Sequence, residues 1–175
     1  MNLYLFQLIN SWASQNAWLD RFMVFSAEWL GYLLILGVIL CYLKDRQKYK
    51  DMALVAFSSA IVARFIFVEI IRSFYYSPRP FLVLQNVHQL LAHDLEASFP
   101  SGHASFYFAL AGGVYLYNKK AGYAYFVLAG LMGFARIFGG VHWAFDILVG
   151  AVLGMTTTWL VNLMKEKMSR RTLVG

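Results

Sequence analysis

The chain has 175 residues, of which 60% are hydrophobic and only 14% charged, with a mean hydropathy of +0.56. A soluble domain carries about 25% charge, so this composition excludes an ordinary soluble enzyme, a disordered chain and a disulfide-stapled secreted domain. The single cysteine, Cys41, rules out an internal disulfide and a cysteine-based zinc centre, and the net charge of +6 is no nucleic-acid signal in a chain whose basic residues are sorted along apolar segments.

Residues 1–20 come first. Leu3, Tyr4, Phe6, Trp12 and Trp18 are mixed there with Asn, Gln and Ser, too polar a stretch for a span. The segment reads as an amphipathic helix lying in the membrane interface. It has neither the basic start nor the small-residue cleavage site of a signal peptide. Five apolar runs of spanning length follow, at 22–43, 52–71, 101–117, 121–138 and 143–164. A span needs about 20 such residues. The expected fold is an all-α integral membrane helical bundle of about five transmembrane helices plus the N-terminal interfacial helix, in one domain covering 1–175.

Basic residues orient the bundle. Lys44, Arg46, Lys48 and Lys50 follow the first run, Lys119 and Lys120 join the third to the fourth, and Lys165, Lys167, Arg170 and Arg171 follow the fifth. Ten of the 15 basic residues thus share one side, which the positive-inside rule makes cytoplasmic. The C-terminus is then inside and the N-terminus outside. Arg72, Arg79, Arg136, the four histidines, Asp94, Glu96 and Asp146 gather on the outer side. The longest loop, 72–100, carries Pro78 and Pro80 near its start and Pro100 at its end, where helices must stop. Gly150 and Gly154 form a Gly-x-x-x-Gly pattern suited to close helix packing, within the chain or in an oligomer that nothing else indicates.

Charges inside the apolar runs need partners, because a lone one costs about 2.5–3.5 kcal/mol at the bilayer centre. Glu28, Arg64 and Glu69 are such charges. Glu28 or Glu69 is expected either to position the arginines or to form an ion pair between helices. His88 and His93, beside Asp94 and Glu96, do not have zinc-ligand spacing and read as solvated loop residues, or else as contacts to substrate or a lipid headgroup.

Three clusters converge on the outer side: Arg72-x6-Arg79-Pro80, Pro100-Ser101-Gly102-His103 and Arg136-x5-His142-x3-Asp146. Several guanidinium groups suit a multiply charged oxyanion, which Arg grips with a planar fork. Ser101-Gly102-His103 opens a helix after a proline, where unpaired N–H groups and the dipole favour an anion. If the helix begins by Val141, His142 and Asp146 share a face, and the carboxylate can fix the imidazole tautomer and leave the other nitrogen to attack. His103 can then protonate a leaving oxygen. No metal or other cofactor is needed when arginines neutralise the developing charge.

These clusters resemble the type 2 phosphatidic acid phosphatase superfamily, whose pattern is Lys-x6-Arg-Pro, Pro-Ser-Gly-His and Ser-Arg-x5-His-x3-Asp. Arg72 stands at the Lys position and Ala135 at the first Ser. The resemblance implies that His142 is a nucleophile forming phosphohistidine, Asp146 its orienting partner and His103 the general acid. It implies that Arg72, Arg79, Ser101, Gly102 and Arg136 hold phosphate. The stretches DRFMVFSAE, PRPF and ASFPSGH look most like bacterial undecaprenyl-diphosphatases of the bacitracin-resistance type. The expectation is therefore hydrolysis of undecaprenyl diphosphate to undecaprenyl phosphate at the extracytoplasmic face of the cell membrane. The motifs equally suit a phosphatidylglycerophosphate or phosphatidic acid phosphatase. A lipid-phosphate binder or transporter on the same fold is the rival outside enzymology. The multispan pattern disfavours a vanadate-dependent peroxidase.

Overall fold

The structure, a computed structural model, describes residues 1–93 and 97–172, with side chains through 170. Asp94 and Glu96, and the side chain of Arg171, lie outside the described residues. Among the described residues every regular element is helical. The elements are α1 (Asn2–Asn10), α2 (Ala17–Glu28), α3 (Leu30–Lys44), α4 (Arg46–Val62), a π-helical turn (Ala63–Phe67), α5 (Val68–Phe74), α6 (Pro80–Val83), α7 (Gly102–Tyr117), α8 (Lys119–Phe138) and α9 (Ala144–Thr172).

Polar caps punctuate the apolar helices. Asn16 accepts the free N–H groups of Trp18 and Leu19 at the start of α2. Asp45 alone joins α3 to α4, and Asn118 alone joins α7 to α8, each capping the helix that follows. Pro80 sits in the first turn of α6, where its missing N–H costs nothing.

Three helical stretches are long and apolar enough to cross a membrane: Arg46–Phe74, Lys119–Phe138 and Ala144–Arg170. The pair α2 and α3 is a fourth crossing if taken together, bent by 46°. The run expected at 22–43 is therefore not one straight span. It starts earlier, at Ala17, and breaks at Trp29. The run at 101–117 becomes α7, whose 16 residues reach only about 24 Å. It is a short central helix packed against α4, α8 and α9.

Small residues let this centre close up, which matters where lipid supplies no hydrophobic drive for helix association. A Cβ on Gly154 would lie 2.8 Å from the Ala109 backbone nitrogen, and one on Gly150 would lie 2.9 Å from the Ala104 methyl. The Gly-x-x-x-Gly face of α9 is thus occupied by α7 of the same chain. Thr158 adds a hydroxyl bond to the Ala109 carbonyl at 2.9 Å.

The N-terminal segment differs in part from an interfacial helix. Its helix, α1, is nine residues, about 14 Å, too short to span. Trp12 is exposed, but Phe6 and Asn10 are buried against protein. Asn10 clamps the molecule: its amide donates to the carbonyls of His88 and Phe138, and its oxygen accepts from the His88 N–H. At the opposite end of the bundle Lys165 of α9 pairs with Asp51 of α4 at 2.6 Å and donates to Tyr117 of α7. The basic clusters share that end, and the three motif clusters share the other.

Candidate active site

His142 lies in the turn between α8 and α9 and is 1% exposed. The turn is fixed by Val141 N–H donating to the Arg136 carbonyl and by the Trp143 indole donating to the Pro78 carbonyl at 2.9 Å. Asp146 sits in the first turn of α9. Its Oδ2 accepts from the Trp143 N–H at 2.9 Å and from the Ser98 hydroxyl, and it faces His142 Nδ1 at 3.3 Å. Ser98 Oγ is also 3.3 Å from Nδ1. On the far edge of the ring, Nε2 lies 3.2 Å from Arg79 Nη1.

These contacts assign the tautomer. A guanidinium can only donate, so Nε2 must accept and carries the lone pair. The ring proton then sits on Nδ1, toward Asp146. Burial first, then the charges of Arg136 and Arg79, with further contributions from His103 and His93, hold His142 well below the ordinary histidine range. The imidazole is neutral with its free nitrogen turned to an arginine, the protonation state in which a histidine is a nucleophile.

Arg79 is completely buried and firmly held. Nη1 donates to the Val141 carbonyl at 2.8 Å and Nη2 to the Ala97 carbonyl at 3.3 Å. Arg72 Nη2 donates to the Pro100 carbonyl at 3.2 Å, and Nη1 lies 3.8 Å from Glu69. Ser101 caps α7 by accepting from Ala104 N–H, and its own N–H donates to the Asp146 carbonyl at 3.0 Å, so the second and third clusters are tied through backbone. Gly102 is the first residue of α7, where a Cβ would lie 2.6 Å from Arg64 Cδ.

An open cavity of about 650 Å³ adjoins this buried group. Arg136, His103, His93 and Glu28 line it, with Trp29 and Tyr32 from the α2–α3 break. Arg136 is itself buried, and its Nε has no hydrogen-bond partner among the described residues. The eight motif residues therefore meet at one end of the bundle in two tiers. Arg79, Ser101, Gly102, His142 and Asp146 are buried, with Arg72 close to buried, while His103 and Arg136 face the cavity. Of the two supporting carboxylates, Glu28 lines the cavity and Glu69 pairs with Arg64 and Arg72.

His93 is a loop residue as expected, but it is half-buried and lines the cavity rather than standing in solvent. Its ring stands edge-on to His142 with centroids 6.0 Å apart. His88, in contrast, serves through its backbone, bonded to Asn10. Ser98 belongs to the ASFPSGH stretch, and the motif pattern gives it no role. Neither His93 nor Ser98 carries a local signal, because each lies more than forty residues from His142 along the chain. Among the described residues no group of three or more His, Cys, Asp or Glu side chains is placed to hold a metal ion.

The family model described as "PAP2 superfamily" matches residues 53–170. The chain is 32% identical over 169 residues to the bacitracin transport permease protein BcrC of Bacillus licheniformis, covering 97% of this chain and 83% of that protein. It is 32% identical over 162 residues to the undecaprenyl-diphosphatase BcrC of Bacillus subtilis, covering 91% and 82%. The crystal structure of Aquifex aeolicus LpxE superposes with a TM-score of 0.75 at 31% identity, over 91% of this chain and 93% of that one.

Proposed function

The chain belongs to the PAP2 superfamily, and from that premise we propose that it is a membrane lipid phosphatase, one domain over 1–175, converting undecaprenyl diphosphate to undecaprenyl phosphate through a phosphohistidine at the extracytoplasmic face. The observation that carries the chemistry is the geometry of His142: Nδ1 toward Asp146 and Ser98, Nε2 toward Arg79.

The terminal phosphate displaces Nη1 of Arg79 from Nε2 and takes the guanidinium as its ligand, with Arg72, Arg136 and the start of α7. Nε2 attacks phosphorus, the P–N bond forms, and the bridging P–O bond breaks. The lipid leaves as its monophosphate, and the positive charge on the imidazole is met by Asp146. His103 gives its proton to the leaving bridging oxygen and, now neutral, takes one from the attacking water. Water cleaves the P–N bond and inorganic phosphate departs. Preorganised guanidinium groups stabilise the transition-state charge, the role a metal ion takes elsewhere.

The two similar BcrC proteins carry different names, a transport permease and a diphosphatase. A transporter has no need of a neutral, carboxylate-oriented imidazole beside a buried arginine, so the geometry favours hydrolysis. The outer placement of the site rests on the basic clusters at the opposite end of the bundle.

The test is phosphate release by purified protein from undecaprenyl diphosphate, phosphatidylglycerophosphate and phosphatidate in competition. Isoprenoid diphosphate should turn over fastest, and His142→Ala should abolish release and trapping of acid-labile phosphoenzyme while the protein stays folded. Faster turnover of the glycerolipids would overturn the substrate assignment. Full activity of His142→Ala would overturn the mechanism.

A further inference from the structure

Arg64 lies outside the three motif clusters, inside an apolar helix. The α4 helix does not continue regularly there. Residues Ala63–Phe67 form a π-helical turn, with the Val68 N–H donating five residues back to the Ala63 carbonyl. In an α-helix, residues five apart point about 140° away from each other. The extra residue in a π turn brings them onto one face, and such turns gather at functional sites. Arg64 and Glu69 are five apart and form an ion pair through Nη1 and Oε1. The same Oε1 lies 3.8 Å from Arg72 Nη1.

Both ends of this chain of charges reach the Pro100–His103 segment. Arg72 Nη2 donates to the Pro100 carbonyl at 3.2 Å. The stem of Arg64 lies over Gly102, where a Cβ would come within 2.6 Å of its Cδ. Arg64, Gly102 and His103 also line one small cavity of about 160 Å³. One carboxylate thus spans two guanidinium groups that brace the start of α7 from two sides.

We propose that Arg64 and Glu69 are positioning residues of the phosphate site: the π turn aims Arg64 onto Gly102, Glu69 couples it to Arg72, and together they set the spacing between Arg72 and the α7 N-terminus. The inference rests on the phosphate-binding part of the proposed function and not on which lipid is cleaved.

Simple charge counting and positioning predict opposite signs. Neutralising an acidic group beside Arg72 should tighten anion binding if Glu69 acts only through its charge. It should weaken binding if Glu69 holds Arg72 in place. The experiment measures inorganic phosphate binding to the purified protein in detergent by calorimetric titration, for wild type, Glu69→Gln, Arg64→Lys and the double variant. Arg64→Lys keeps the charge and removes the fork. The expected result is about tenfold weaker phosphate binding in Glu69→Gln, and a double variant no weaker than the worse single one, because coupled residues are non-additive. In the lipid assay KM rises about tenfold while kcat changes less than about threefold. Unchanged or tighter phosphate binding in Glu69→Gln, or independent additive losses, would overturn the proposal. Because binding is read without turnover, failure to hydrolyse a lipid phosphate would count against the proposed function alone.

Discussion

Asp146→Asn is the most informative single perturbation of the mechanism. Three donors converge on Oδ2 of Asp146: the Trp143 N–H at 2.9 Å, the Ser98 hydroxyl, and the Nδ1–H of His142 at 3.3 Å. A carboxylate can accept all three. An amide can place its oxygen there and keep the bonds, but it loses the charge that meets the imidazolium. If it places its NH2 there instead, donors face donors and His142 is driven to the other tautomer, with a proton on the Nε2 that must attack. In a Ser-His-Asp triad the same change costs about 10⁴ in kcat for that tautomeric reason. Here Ser98 and the Trp143 N–H both favour oxygen at the Oδ2 position, so the loss should be nearer 10³, or about 4 kcal/mol of barrier. The assay is steady-state phosphate release from lipid diphosphate, with a thermal melt to show that the fold survives. KM should move little, since Asp146 is buried behind His142 and does not line the cavity. A variant retaining more than about a tenth of wild-type kcat would refute the orienting role.

Two further outcomes follow from the same geometry. His103→Gln should discriminate by leaving group: a phosphomonoester leaving group has a second pKa of about 6, whereas an alkoxide leaving group is far more basic. Loss of the proton donor should therefore slow a lipid monoester at least tenfold more than a lipid diphosphate, and equal losses on the two substrates would remove His103 as the acid. The neutral state of His142 also makes a stability prediction. Because its folded pKa lies well below 6.5, the unfolded chain binds that proton first, and the contribution of His142 to stability falls as pH drops below about 6.5, with a limiting slope of about 1.4 kcal/mol per pH unit for this one group. Melting curves between pH 7.5 and 5 should fall less steeply for His142→Gln than for wild type, and parallel curves would contradict the assignment.

The family resemblance and the membrane architecture were legible because each rests on short-range information. Apolar runs announce helices whatever surrounds them, and the motif clusters hold their residues at fixed local spacing: His142 and Asp146 are four residues apart, although α9 begins only at Ala144 and His142 stands in the turn before it. The break at Trp29 was not legible, since the run 22–43 is apolar straight through it, and only the cavity at Glu28, Trp29 and Tyr32 shows what the bend forms. Arg64 and Glu69 could be named as charges inside apolar runs, in want of partners. Their pairing across five residues depended on a π turn that leaves no mark in hydropathy.

The sequence by itself therefore determined the chemical inventory and the medium: guanidinium groups, imidazoles and a carboxylate at one end of an apolar bundle. Tertiary structure decided the states of those groups. Ser98, Ala97 and Val141 come from separate stretches, yet they decide which histidine nitrogen is free and how Arg79 is held. Likewise α7 sits at the centre because Gly150 and Gly154 let α9 approach its backbone. Periodicity and spacing are properties of neighbours along the chain, whereas a tautomer or a buried hydrogen bond is fixed by groups that meet only once the helices have packed.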